Sequence, residues 1–151
     1  MSESSSYPIA SNPKRLTAFM IDDIVISLLF FIVFYDQFSE LFSAITVVDE
    51  ATLLTINMFI SQHIVTVFLM KLLYHTVFVW QNGMTLGKYI MKIKVIDLQT
   101  GDTPDFQKAL LRGSVRLISE VLFYIGFMMA FFMPMKQTLH DKLSACVVVD
   151  A

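Results

Sequence analysis

The sequence predicts an α-helical integral membrane protein: a small bundle of about three hydrophobic segments, with a short cytoplasmic β element and an amphipathic surface helix. Composition is the first ground. Hydrophobic residues make up 56% of the 151 residues and charged residues 16%, against roughly 45–50% and about 25% in average soluble domains. Mean hydropathy is +0.65. A soluble domain of this length could not bury so much apolar surface, because small domains hide the smallest share of theirs. The same richness excludes a disordered chain, and a single cysteine, Cys146, excludes a disulfide scaffold. The second ground is segregation. The apolar residues fall into three long runs, and most of the basic residues lie before the first and between the second and third, with Lys136 and Lys142 after the third. The length is that of one domain, residues 1–151.

The first run, 16–35, has 20 residues. At ~1.5 Å per residue it reaches about 30 Å, the thickness of a hydrocarbon core. The stretch SESSSYPIASNP before it is polar and lacks the charged start and apolar core of a signal peptide, so this helix is expected to stay in the mature protein. Ser11 and Asn12 are suited to cap it, and Pro13 fits its first turn. The second run, 51–80, has 30 residues, enough to cross at a tilt or extend into the headgroups. Tyr74 and Trp80 near its end suit an interfacial aromatic belt. The third, 117–135, is 19 residues and just long enough to cross.

Charge placement orients the first two runs. Lys14 and Arg15 precede the first helix, and the 36–50 loop carries Asp36, Glu40, Asp49 and Glu50 without a Lys or Arg. Region 81–116 carries Lys88, Lys92, Lys94, Lys108, Arg112 and Arg116. Basic loops stay inside, so the amino terminus and 81–116 are expected to be cytoplasmic. The third run allows two layouts. A simple crossing puts the carboxyl terminus outside. A re-entrant hairpin turning near Gly126 returns it to the cytoplasm, provided its turn is buried in protein.

Within 81–116, KIKVIDLQTGDTPDF reads as a strand, a turn at 100–102, and a helix start with Thr103 as cap and Pro104 at the first position. FQKALLRGSVRL then reads as an amphipathic helix, with a basic face suited to an anionic leaflet. The final SACVVVDA is β-branched, too short to span, and reads as a strand beside 93–95. That pairing favours a cytoplasmic carboxyl terminus.

Asp22 and Asp23 sit about seven residues into the first helix, so roughly 10 Å from its end. An intramembrane carboxylate costs about 2.5–3.5 kcal/mol on insertion scales, which makes two adjacent ones a candidate site. Asp22 projects with Ala18, whose small side chain admits a close neighbour. Lys71 is the first expected partner for these aspartates, followed by Arg15, His75 or Arg116. His63, two turns from Lys71, is a further candidate ligand or relay group. Glu120 falls near the membrane edge, where solvation suffices. Two readings stand side by side. The carboxylates bind a monovalent cation or a proton, or the charges merely lock helices together.

Other chemistries fit poorly. Three scattered His and one Cys offer no metal-ligand spacing. GMTLGK has three residues between its glycines and Tyr after Lys, so it is not a phosphate loop of the Walker type. No nucleophile–base spacing points to an enzyme, and the basic residues are membrane-proximal, unlike a nucleic-acid surface.

Four segments resemble the RDD family of small bacterial membrane proteins. They are RLTAFMIDD (15–23), NGMTLGKYIMKIKVID (82–97), LLRGSVR around Arg112, and KQTLHDKLSACVVV (136–149). They cover nearly the whole chain in the family's order. The family's arginine and two aspartates map onto Arg15, Asp22 and Asp141. The resemblance implies a membrane protein usually suggested to transport ligands or cations. It makes Asp141 a candidate partner of Arg15 at the inner face, or equally a clamp that transports nothing. The expected function is therefore a transporter or cation/proton antiporter subunit of the inner membrane. The alternative is a non-catalytic scaffold whose polar residues fix helix packing. Expected partners are the lipid bilayer and either another copy of the chain or a partner subunit, since three segments enclose little space. No cofactor is expected.

Overall fold

A computed structural model describes residues 8–122 and 124–151. Helix α1 spans Asn12–Val33, with Pro13 in its first turn and Ser11 at the cap position, though the Ser11 side chain makes no capping bond. The chain breaks at Phe34 and resumes as α2, Tyr35–Ala44. Most of the acidic stretch expected as a loop is thus helical. Its apolar residues recur at helical spacing, and Phe38 packs against Phe30 and against Phe59 of the next helix. Helix α3 runs 33 residues, Glu50–Asn82, started by the Asp49 carboxylate accepting from the Thr52 amide at 2.8 Å and stopped by left-handed Gly83.

Helices α1 and α3 are antiparallel. Asp22 meets Tyr74, Asp23 meets Lys71, and Phe34 meets His63. Both helices are long and apolar enough to cross a membrane. Leu16, Met20, Ile24 and Ile32 on α1, and Leu54, Met58, Val65 and Leu69 on α3, are exposed. Water would penalise such a surface and lipid would not.

The third apolar run is not one straight span. Helix α5, Phe106–Val121, contains both the expected amphipathic helix and the start of that run. Helix α6, Ile125–Met128, and a 3-10 turn, Met129–Phe131, follow at 109° to it. After the break Tyr124 adopts a left-handed conformation, and its amide donates to the Ser119 carbonyl at 2.7 Å. The α5 cap is Asp105, not Thr103. Nor is α5 a surface helix. Ala109, Arg112, Gly113, Arg116 and Ser119 are buried, and Gly113 lies against Leu72 and Thr76 of α3. Its arginines turn inward because carboxylates await them there.

Helix α4, Leu86–Ile90, follows α3 and leads to strand β1, Ile93–Asp97. Helix α7, Leu139–Leu143, leads to β2, Cys146–Asp150. The strands pair antiparallel, with Val95 opposite Val148. The pairing expected for the final run is present. Ile9 bridges to Val149 on the other edge of β2. Ile93, Val95, Cys146 and Val148 pack with Ala10, Ala18, Val79 and Ala109. The start of α1, the end of α3 and both strands therefore share one end of the molecule. The bent segment leaves from that end, where Phe106 meets Trp80, and returns to it through α7.

Candidate functional site

Two buried carboxylates organise the polar interior. The first is Asp22, with no exposed surface. Its Oδ1 accepts from the Tyr74 hydroxyl and the Gly87 amide, each at 2.8 Å. Its Oδ2 accepts from the Thr85 hydroxyl at 2.6 Å and lies 3.8 Å from Lys88 Nζ. Tyr74 also accepts from the Leu86 amide at 3.1 Å. The GMTLGK segment thus folds back between α1 and α3 and presents its donors to a side-chain carboxylate. Ala18 is the small residue that admits it. A Cβ on Gly87 would collide with the Ala18 carbonyl. The expectation that Lys71 is the first partner of Asp22 is corrected: near neighbours from the loop hold both oxygens. Tyr74 is buried in this network rather than standing in an interfacial belt. Tyr74→Phe removes one donor from Asp22 and one acceptor from Leu86, and is expected to lower stability by about 1–3 kcal/mol. Unfolding by sodium dodecyl sulfate in mixed micelles would measure it.

The second carboxylate is Asp141, 1% exposed. Oδ2 lies 2.9 Å from Arg15 Nη2, and Oδ1 lies 2.6 Å from Arg112 Nη2. Thr138 and Asp141 form a capping box at the start of α7, which fixes the carboxylate's direction. Arg15 also donates through Nη1 to the Lys136 carbonyl. Burial would raise the Asp141 pKa. Arg112 and Arg15 outweigh it and hold the carboxyl well below the usual range. Burial, with Arg112, Arg116 and Lys88 nearby, keeps His140 neutral despite Asp141.

A third cluster lies deeper along α3. Lys71 Nζ is 2.7 Å from Asp23 and 2.9 Å from Glu120, and Arg116 Nε is 3.3 Å from Glu120. Glu120 is therefore buried in ion pairs, not solvated at an edge. Arg116 also lies over the rings of Phe19 and Phe127, 4.9 and 5.8 Å from their centres.

Of the six residues singled out in the sequence, the structure joins Arg15 with Asp141 and Asp23 with Lys71, and holds Asp22 apart from both pairs. His63 belongs to none of these clusters. It lies 19 residues from the end of α3, about 28 Å along the helix. There it is bonded to Gln37 at 2.5 Å and to the Phe59 carbonyl, among Phe30, Phe34 and Phe59. Thr85, Gly87 and Lys88 were visible in the sequence as a failed phosphate loop and as part of the 82–97 segment, not as partners of Asp22. Their donors do serve an anion, but it is Asp22. Among the described residues no group of three or more His, Cys, Asp or Glu could hold a metal.

Beside the Asp141 cluster is a cavity of about 90 Å³. Arg15, Lys88, Arg112, Arg116, His140 and Asp141 form its polar side, and aromatic rings of α1 and α6 its apolar side.

An uncharacterized protein of Rickettsia prowazekii is 29% identical over 76 residues, covering 50% of this chain and 42% of that protein. The proline-rich antigen homolog of Mycobacterium tuberculosis is 30% identical over 67 residues, 44% of this chain and 28% of its own. The proline-rich antigen of Mycobacterium leprae is 33% identical over 66 residues, 44% of this chain and 26% of its own. The chain thus spans less than half the length of these curated relatives. No solved structure matches. The RDD family profile, by contrast, matches residues 9–145. That span takes in Arg15, Asp22 and Asp141 together with the loop and the arginine that hold the two aspartates, and the chain belongs to the RDD family.

Proposed function

We propose that this chain is a multi-pass protein of the inner membrane, with its amino terminus and region 81–116 cytoplasmic, and that it works as a transporter or transporter subunit. The carrying observation is the Asp23–Lys71–Glu120 cluster, in which Asp23 and Lys71 lie on the two helices long and apolar enough to cross a membrane and Glu120 reaches them from α5. Charges in such segments are costly and mark ion or proton paths. A cation or proton antiport runs through Asp23 and Lys71 rather than Asp22, whose oxygens are occupied. The Asp23 side chain is 41% exposed and that of Glu120 is 7% exposed, so Lys71 links an accessible carboxylate to a buried one. When a proton or cation takes Asp23, Lys71 keeps Glu120 as its partner. Two long helices and a bent one enclose little space, so the working unit contains several copies or a partner subunit.

The test is reconstitution into proteoliposomes holding a pH-sensitive dye, with a sodium or potassium gradient imposed. The expected result is cation-driven proton movement that Asp23→Asn abolishes without changing the chromatographic profile. The scaffold reading has its own support: Asp22 is hydrogen-bonded through both oxygens to neighbouring elements, and Asp141 is ion-paired to two helices. Wild-type vesicles without flux would favour it. Orientation is checked with Ala151→Cys in a Cys146→Ser background. In right-side-out vesicles the thiol is expected to label only after permeabilisation.

A further inference from the structure

The polar cavity has features that the Asp23–Lys71–Glu120 path does not use. Arg15 Nε and Arg112 Nη1 are buried and have no hydrogen-bond partner. Guanidinium nitrogens stay protonated and cannot accept, so these are standing donors. Both residues wall the cavity. Arg112 Nη2 lies 2.6 Å from Asp141 Oδ1 as a charge contact, which leaves that oxygen without a hydrogen bond and Arg112 Nη1 without any partner. Charge points the same way. Among the described residues the three ion-pair clusters contain five cations, Arg15, Lys71, Lys88, Arg112 and Arg116, and four carboxylates, Asp22, Asp23, Glu120 and Asp141, and the excess cation falls in the Asp141 cluster, where two arginines share one carboxylate. One positive charge lacks a counterpart, in surroundings where an unbalanced charge is costly.

We propose that this cavity binds one small oxyanion, a carboxylate or phosphate group held by Arg15 and Arg112 with Lys88 as a third donor. Arginine forks match the paired oxygens of such groups. The volume, about 90 Å³, has room for a group larger than a single water. The occupant comes either from solution or from a lipid headgroup, and Leu16, Phe19 and Phe131 on the apolar side would take the carbon of either. The site meets the antiport path at Arg116, which lines the cavity and pairs with Glu120, but does not depend on it.

Binding is tied to the charge of Lys88. That ammonium is faced by Asp22 from α1, His75 from α3, Arg112 and Arg116 from α5, and His140 and Asp141 from α7. Burial pushes its pKa down, Asp22 pulls it up, and the arginines push it down again, to about 7. An anion stabilises the charged form, so affinity falls as pH rises through about 7.

The test uses the full chain in phosphatidylcholine nanodiscs, titrated calorimetrically with sodium phosphate or sodium butyrate against sodium chloride of equal ionic strength. A saturable heat with either oxyanion, absent with chloride, is expected. Ala130→Leu narrows the cavity and leaves every charge in place, and should weaken binding at least about tenfold with an unchanged melting temperature in the absence of ligand. For a lipid occupant, phosphatidylglycerol discs would melt higher than phosphatidylcholine discs, and Ala130→Leu would erase the difference. No saturable heat together with no lipid-dependent melting overturns the proposal. So does binding that Ala130→Leu leaves intact. Cation-driven flux could persist in either case, so the two readings fail separately.

Discussion

Asp141→Ala is expected to yield a chain that does not accumulate in folded form. Asp141 is 1% exposed and lies between two arginines from different helices, Arg15 on α1 and Arg112 on α5. Neither arginine can lose its charge to escape burial. Removing one partner from a buried pair costs about 3–5 kcal/mol, because the surviving charge keeps its desolvation penalty. Here two charges survive, and the capping box of α7 goes as well. Whole-domain stabilities are about 5–15 kcal/mol, so the loss takes most or all of the margin. Fluorescence-detected size-exclusion chromatography should give an aggregated profile where the wild type gives a single peak. Asp141→Asn keeps the shape and part of the capping, and should fall between the two. A wild-type profile for Asp141→Ala would mean the arginines are satisfied by something other than this carboxylate.

Gly87→Ala should be the most damaging single-methyl substitution in the chain. The added Cβ would strike the Ala18 backbone carbonyl and lie 2.9 Å from Asp22 Oδ1. Backbone cannot yield as a side-chain tip can, so α4 must move away from α1. Asp22 then loses the Gly87 amide and the Thr85 hydroxyl together, in a site closed to water. A loss of about 3 kcal/mol or more is expected, combining overpacking with an under-bonded buried carboxylate. Gly113→Ala is the control. Its Cβ would meet the Thr76 hydroxyl at 3.0 Å and a Leu72 methyl at 3.1 Å, both able to shift by a few tenths of an ångström. A loss below about 1 kcal/mol is expected there, helped by the better helix propensity of alanine. Equal losses for the two variants in the mixed-micelle titration would refute the wedge role of α4.

What could be read from the sequence was what periodicity and composition encode. The extents of α1 and α3 follow from apolar run length, and the pairing of 93–97 with the final strand follows from β-branched runs of matching length. The break between α5 and α6 was not encoded that way. An apolar run reads the same whether its helix continues or doubles back, and Tyr124 in a left-handed conformation has no sequence signature. The direction of Arg112 and Arg116 was misread for a related reason. Amphipathicity separates charged from apolar faces, but either can be the inner one when buried carboxylates supply partners. Asp22 was found by its cost in lipid. Its partners were not, because the loop that binds it is 63–65 residues away along the chain.

The two-stranded sheet also dictates an order of assembly. Strand β1 is complete by residue 97, and β2 comes only at 146–150. During synthesis, α1, α3 and α4 can join through Asp22 while β1 has an open edge and Arg15 and Arg112 have no carboxylate. Only the last stretch, from Thr138 onward, delivers Asp141 and then the strand that fills the space between Ile9 and β1. Such long-range closure is slow and leaves an adhesive edge exposed meanwhile. Residues 138–151 therefore act as a latch, and a nascent chain stalled before them is an incompletely neutralised intermediate, with Arg15 and Arg112 still lacking their carboxylate.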